Sequence, residues 1–447
     1  MTQLTRIGAA VLVSSLVLLG GCGGGSGDPG TGGTGGSGGT AGTGGTGGTA
    51  GEGTGGAGGS GGSVPSNIDV HGKVVDKLGK PFIGATILLD GDIDRLETTG
   101  TDGLFHFGGV DTPYRLTVLA SGQLYELRGL TRSNPVVVAG SEVGAFTVRQ
   151  GAKIAGHVGG PAYPVGGKIL LAPSGRTGVT VSADPANGDF DAEMAWMGDA
   201  KQTRDLVAAW IEYGPEGLVV HGLGRKTDVT LESGIGLSGL GVSLGGPIET
   251  RPTTVSSFGG AYSDAFVTLY GSFTIEGTRF NVLDGIVGSV AGVPTDGAVF
   301  YAQGYDADGN FAIRLIPAIP GGTTRVELPE IAEMKAVSPV NHSMNVSTRP
   351  TLAWTQATGA KAYWVIVGPY TYVLPATAHS LQIPDTSSFG ISLDRGKNYD
   401  WYVAAMMSDG FSADDATDGS GLGINRFLIL DEDTLLIQTV AEFKTAP

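Results

Sequence analysis

"HGKVVDKLGKPFIGATILLDG", residues 71–91, recurs in altered form as "AGHVGGPAYPVGGKILLAPSG", residues 155–175. Gly72 and Val74 align with Gly156 and Val158, Ile83-Gly84 aligns with Val165-Gly166, and both copies then reach "ILL", at 87 and 169. Further on, each copy has a turn pair followed by an aromatic: Asp102-Gly103-Leu104-Phe105 and Asn187-Gly188-Asp189-Phe190. Asp308-Gly309-Asn310-Phe311 is a third instance. Asp-Gly and Asn-Gly suit tight hairpin turns because both central residues take positive φ. The phenylalanine two places later is expected to face a core. Short alternating runs broken by Gly, Pro and Asp every ~8–12 residues are the pattern of a β-sandwich. The chain is therefore expected to be all-β, a series of tandem β-sandwich domains.

No long apolar stripe of helical period follows residue 64. The best candidate, "AEMAWMGDAKQTRDLVAAW" (192–210), is interrupted by Gly198 and fits a helix poorly. It reads as strand, loop and strand, with a short helix as the alternative. The repeat divides the chain into sandwiches at 64–150 and 151–233, a β-domain of uncertain kind at 234–331, and a last sandwich at 332–447.

The first copy resembles the carboxypeptidase regulatory-like domain, a transthyretin-like β-sandwich. The resemblance rests on Gly72-Lys73-Val74, "GKPFIGATILL", "TTGTDGLFHF" and "PYRLTVLASG", over residues 67–149. The copy at 151–233 lacks the Lys-Pro step in register and has a longer insert before its turn. The likeness is to an accessory sandwich, not to an enzyme domain, and it implies no zinc set. The last segment resembles a fibronectin type III or related Ig-like domain over 335–446. Pro350, Leu352 and Trp354 form one strand, Ala362, Trp364 and Ile366 alternate with Tyr363, Val365 and Val367 in the next, and Tyr399 stands at the tyrosine-corner position of "KNYDWYVAAM".

At the N-terminus, Arg6 precedes the apolar run Ile7–Leu19. That run is too short for a membrane span of about 20 residues and suits a signal peptide. Leu19-Gly20-Gly21-Cys22 resembles the bacterial lipobox. The resemblance implies a signal peptide at 1–21, cleavage before Cys22 and lipidation of that cysteine, the only one in the chain. Gly23 in place of aspartate implies the outer membrane, with the membrane as partner through the lipid. Residues 22–63 form a Gly/Thr-rich tether expected to be disordered, since such a segment has no side chains with which to build a core. Its reach is about 35 Å.

The net charge of −16 argues against a nucleic-acid partner, which requires clustered Lys and Arg. None of the six histidines, His71, His106, His157, His221, His342 and His379, shows metal-ligand spacing with another, so no metal site and no cofactor are expected. His71 and His157 flank equivalent points of the two repeats and read as strand surface. Asp306-Ala307-Asp308-Gly309 begins like a calcium loop, but its twelfth position is Pro317, so it reads as a turn. The acidic loop 409–418, with Asp409, Asp414, Asp415 and Asp418, is a second calcium candidate beside its reading as a solvated loop. Tyr363, Tyr370, Tyr372 and Tyr402 are candidate exposed rings for sugar stacking, with Tyr370 and Tyr372 the named ligand-binding pair. The expected function is that of a non-catalytic surface lipoprotein in display, adhesion or partner binding, with a glycan or protein ligand. The alternatives are a carbohydrate-binding accessory protein and, more remotely, an enzyme with a site in 234–331.

Overall fold

The computed structural model describes residues 67–139, 148–160, 167–175, 177–214, 217–247, 249–258, 268–275, 278–281, 289–294, 298–305, 310–317, 319–327, 334–420 and 435–447. The leader, Cys22, the Gly-rich tether and the Asp306–Gly309 turn lie outside the described residues.

The first sandwich has seven strands: β1 (Asn67–Val75), β2 (Thr86–Leu89), β3 (Leu96–Thr98), β4 (Leu104–Asp111), β5 (Tyr114–Ala120), β6 (Gln123–Leu130) and β7 (Val136–Val138). One sheet has the order β4-β1-β7, with β1 antiparallel to β4 and parallel to β7. The facing strands run β3-β2-β5-β6. The second sandwich repeats this order with β8 (Arg149–Gly159), β9 (Lys168–Pro173), β10 (Val181–Ala183), β11 (Asp189–Met197), β12 (Lys201–Gly214), β13 (Gly217–Glu232) and β14 (Leu237–Ser243). Its sheets are β11-β8-β14 and β10-β9-β12-β13, and β14 is parallel to β8. The stretch 192–210 is thus strand, loop and strand. The boundary expected at 233 is corrected, because β14 belongs to the second sandwich. Its glycine-punctuated sequence, "LSGLGVS", resembles a linker.

The region 234–331 shares little sequence with the repeats, yet it has the same strand order. It comprises β15 (Thr250–Phe258), β16 (Thr268–Ile275), β17 (Thr278–Asn281), β18 (Ser289–Pro294), β19 (Ala298–Tyr305), β20 (Phe311–Pro317) and β21 (Thr323–Glu327). These form β18-β15-β21, with β15 and β21 parallel, and β17-β16-β19-β20. The domain of uncertain kind is therefore a third copy of the same topology.

The repeated glycines have a steric reason. Gly72 and Phe105 are cross-strand partners, and so are Gly156 and Phe190. Each ring lies over its glycine. A Cβ at Gly72 would sit 1.9 Å from Phe105 Cζ. At Gly156 it would sit 2.0 Å from the Leu240 carbonyl oxygen and 2.8 Å from Phe190 Cζ. Both rings are buried, as the repeat pattern leads one to expect. The turns before them differ from the hairpins expected. Gly103 and Gly188 take positive φ, but the strands on either side of each turn lie in different sheets. These turns carry the chain across the sandwich. Only the third instance, between β19 and β20, joins paired strands.

The last sandwich contains β22 (Ala336–Ser338), β23 (Ser343–Val346), β24 (Thr351–Trp354), β25 (Ala362–Val367), β26 (Tyr370–Pro375), β27 (Ser380–Gln382), β28 (Asn398–Met406) and β29 (Leu435–Thr445). β22-β24-β27 faces β29-β28-β25-β26, the two-sheet plan of an Ig-like sandwich. The Asp394 amide donates to the Tyr399 hydroxyl at 2.7 Å, the contact of a tyrosine corner.

The domains are not beads on a string. β6 pairs in parallel with β26, and β20 pairs antiparallel with β29. The first, third and last sandwiches thereby share one 13-stranded sheet. Val118, Leu127, Trp364, Val373, Ile313 and Leu315 belong to a single apolar cluster that crosses all three. The second sandwich keeps its own core around Trp196 and Trp210.

Candidate functional site

The tyrosines expected as an exposed platform are buried. Tyr363, Tyr370 and Tyr372 are 0%, 1% and 0% exposed, and Tyr402 is half-buried. The cause is the face they occupy, since Tyr363, Tyr370 and Tyr372 pack into the core of the last sandwich with Leu352, Trp354, Leu381 and Trp401, and the β6–β26 pairing sets Tyr370 beside Leu124 and Tyr372 beside Glu126. An edge strand has become an interior one. The Tyr363 hydroxyl accepts from the Ala357 amide at 2.9 Å. The Tyr370 hydroxyl lies 3.0 Å from Thr386 Oγ1 and donates to the Ile391 carbonyl at 3.3 Å. Burial, with the Asp400 charge second, pushes the Tyr402 hydroxyl up to about 12. The buried Tyr372 hydroxyl finds no partner among the described residues. Burial, followed by the Glu126 charge, holds it well above the ordinary phenol range. Glu126 itself is buried and pairs with Arg128 Nε at 2.6 Å. Tyr370→Phe is expected to cost about 1 kcal/mol by losing satisfied hydrogen bonds, whereas Tyr372→Phe should be neutral or stabilising by about 1 kcal/mol. Thermal unfolding of the two variants reads the difference.

The acidic loop 409–418 works as a clasp. Asp414 Oδ1 accepts from the Thr131 and Arg132 amides at 2.9 and 3.2 Å, and Oδ2 accepts from the Thr131 hydroxyl. These groups lie just beyond β6 in the first sandwich. The Tyr114 hydroxyl completes the joint by donating to the Arg132 carbonyl at 2.7 Å. Burial, then Asp414, raises that phenol far above its ordinary value. The other carboxylates point elsewhere. Asp409 pairs with Lys361 at 3.0 Å. Asp415 accepts from the Ser412 amide and hydroxyl at 2.7 and 2.9 Å, capping the short 3-10 turn Ala413–Thr417. Asp418 accepts from the Ser420 amide at 2.8 Å. The four carboxylates suggested as one calcium loop are thus turned to separate partners.

A different cluster forms on β1 and β4. Asp69, His71 and His106 are all exposed, and each offers a ligand atom within 4.8 Å of the others. Asp69 and His71 are two apart on β1 and so share a face. His71 lies directly opposite His106. The amides of His71 and Lys73 bond to Ser133 and Pro135, away from β4. His71–His106 is therefore a non-hydrogen-bonded pair, the closer of the two kinds, and the rings stack at 4.3 Å. A register shift sets Gly108 and Gly109 against Asp69 alone, and the Gly109 amide donates to Asp69 Oδ1 at 3.0 Å. Spacing along the sequence could not find this trio, since two ligands sit on one strand and the third on another. The readable signal was the Gly72–Phe105 pair, because fixing that register puts His71 opposite His106. In the second repeat the equivalent positions carry Lys153, Ala155 and Asp191, and the same face holds a His157 Nδ1–Asp189 Oδ1 pair at 2.9 Å.

No protein-family model matches the chain, and no curated protein matches it. Among solved structures, the Bacillus anthracis TIE protein is similar over 59% of this chain and 50% of its own, at 10% identity and a TM-score of 0.14. This chain therefore spans half the length of that structure. BcpA, the major pilin subunit of Bacillus cereus, is similar over 59% of this chain and 98% of its own, at 10% identity and a TM-score of 0.13. The chicken CNTN1 FN1–FN3 domains follow at 67% and 88% coverage, 9% identity and a TM-score of 0.12. At such scores the superpositions decide nothing, and the β-sandwich assignment stands on strand order alone.

Proposed function

We propose that this chain is a lipid-anchored surface protein whose β-sandwiches form one stiff arm for display, adhesion or partner binding. The observation that carries the reading is the shared sheet. Backbone pairing at β6–β26 and β20–β29, with the Asp414 clasp, couples three sandwiches without a free joint. A rigid arm suits presentation at a distance, and the Gly-rich tether of about 35 Å would lift it clear of the lipid headgroups. Leu19-Gly20-Gly21-Cys22 supports lipidation, and Gly23 supports an outer-membrane address. The strand order common to the first three sandwiches makes them copies of one topology, and the motifs of residues 67–149 support the kinship of the first with carboxypeptidase regulatory-like domains. In this reading the chain catalyses no reaction and binds no nucleic acid. Most side chains of 255–309, within the 234–331 region of the alternative enzyme reading, lie outside the described residues. The carbohydrate reading has no supporting observation once Tyr370 and Tyr372 are buried.

Cys22→Ser tests the anchor. The variant is expected to leave the membrane fraction for the soluble one, with the melting temperature of the folded domains unchanged. Retention in the membrane fraction at the wild-type level would overturn the anchor, and a lowered melting temperature would show that the cysteine serves the fold.

A further inference from the structure

We infer that Asp69, His71 and His106 form a binding site for a divalent transition-metal ion of the zinc, copper and nickel class on the exposed face of the first sandwich. Two imidazoles and one carboxylate are the donor set that such ions select, whereas calcium and magnesium prefer oxygen alone. Ligand atoms around a zinc ion stand about 3.3 Å apart, as bond lengths near 2.0–2.1 Å in a tetrahedron require. The three ligand atoms already lie within 4.8 Å of one another, so rotation about the side-chain torsions closes the gap without moving the strands.

The backbone supports the arrangement. The strand pairing holds the two rings face to face. The Gly109 amide occupies Asp69 Oδ1 and leaves Oδ2 for a metal, the outer-shell contact that orients a ligating carboxylate. Arg95 donates to the Gly108 carbonyl at 3.2 Å and holds the same glycine pair from the other side. Neither imidazole makes a side-chain hydrogen bond among the described residues that would have to be broken. Three protein ligands on an open surface leave coordination positions for water or for a side chain of a binding partner. The site therefore goes beyond the display role, adding a metal-dependent contact point to the arm.

Titration of the full mature chain with Zn2+ by isothermal calorimetry tests the inference. One site of micromolar affinity is expected. His106→Ala and Asp69→Asn should each weaken it at least tenfold, and His71→Ala/His106→Ala should abolish it. His157→Ala, which removes the exposed histidine on the corresponding face of the second sandwich, should leave it unchanged. Circular dichroism of the variants should match the wild type, since all three residues are exposed. Absence of heat with the wild-type chain would overturn the inference. So would an isotherm that survives the double substitution, one lost in His157→Ala, or displacement of Zn2+ by an equal concentration of Ca2+.

Discussion

Gly156→Ala is expected to destabilise the second sandwich by about 3 kcal/mol or more, the upper range of overpacking penalties. The added methyl group would meet the Leu240 carbonyl oxygen at 2.0 Å, and a backbone oxygen within a paired strand cannot rotate away. At Gly72→Ala the nearest atoms are those of the Phe105 ring, the first at 1.9 Å. The two sites should therefore respond differently to a second change. Phe105→Leu should recover much of the loss in Gly72→Ala, with a coupling of about 1–3 kcal/mol in a double-mutant cycle. Phe190→Leu should recover little in Gly156→Ala. Tryptophan fluorescence during urea unfolding reports the second sandwich through buried Trp196 and Trp210. A neutral Gly156→Ala would show that β14 does not pair with β8 as described.

Asp414→Ala is expected to loosen the joint between the first and last sandwiches at a cost of about 3 kcal/mol. The carboxylate receives two amides and a hydroxyl, and a hydrogen bond to a charged acceptor contributes about 1.5–3 kcal/mol net, bonds that share one group not being additive. Asp414→Asn keeps one acceptor oxygen and should cost about half as much. Hydrogen exchange gives the local readout: the Thr131 and Arg132 amides should exchange faster in the alanine variant, followed by those of the β6–β26 pair. The calcium reading of the same loop predicts a different result, namely sensitivity to chelators. Unchanged exchange at Thr131 would remove the clasp.

Much of the fold was legible in the residues. Gly72 and Gly156 recur because each lies under a phenylalanine, and that phenylalanine follows its turn at a constant distance in both copies. Trp354, Trp364 and Tyr399 mark the last sandwich through local alternation and a local corner contact. The third copy was not legible, because its topology is built from backbone pairing that many side chains satisfy. Of the candidate sites, Tyr370 and Tyr372 misled. Two rings spaced by one residue read as exposed, yet that spacing puts both on one face of β26, and only the packing of the facing sheet shows that this face is the core of the last sandwich. Asp69, His71 and His106 were missed for the converse reason, since their proximity depends on register across two strands.

The residues alone established that this protein is all-β, where its repeats begin, and that Cys22 has no disulfide partner in the chain. These properties follow from period-two alternation, turn chemistry and composition, which act over a few residues at a time. Long-range packing decided that three sandwiches share a sheet, that the tyrosines face the core of the last one, that Asp414 closes a joint and that two histidines meet. Edge strands join through amide and carbonyl groups that every residue carries except for proline's missing N–H, so the choice of partner edge leaves almost no mark on the side chains of either strand.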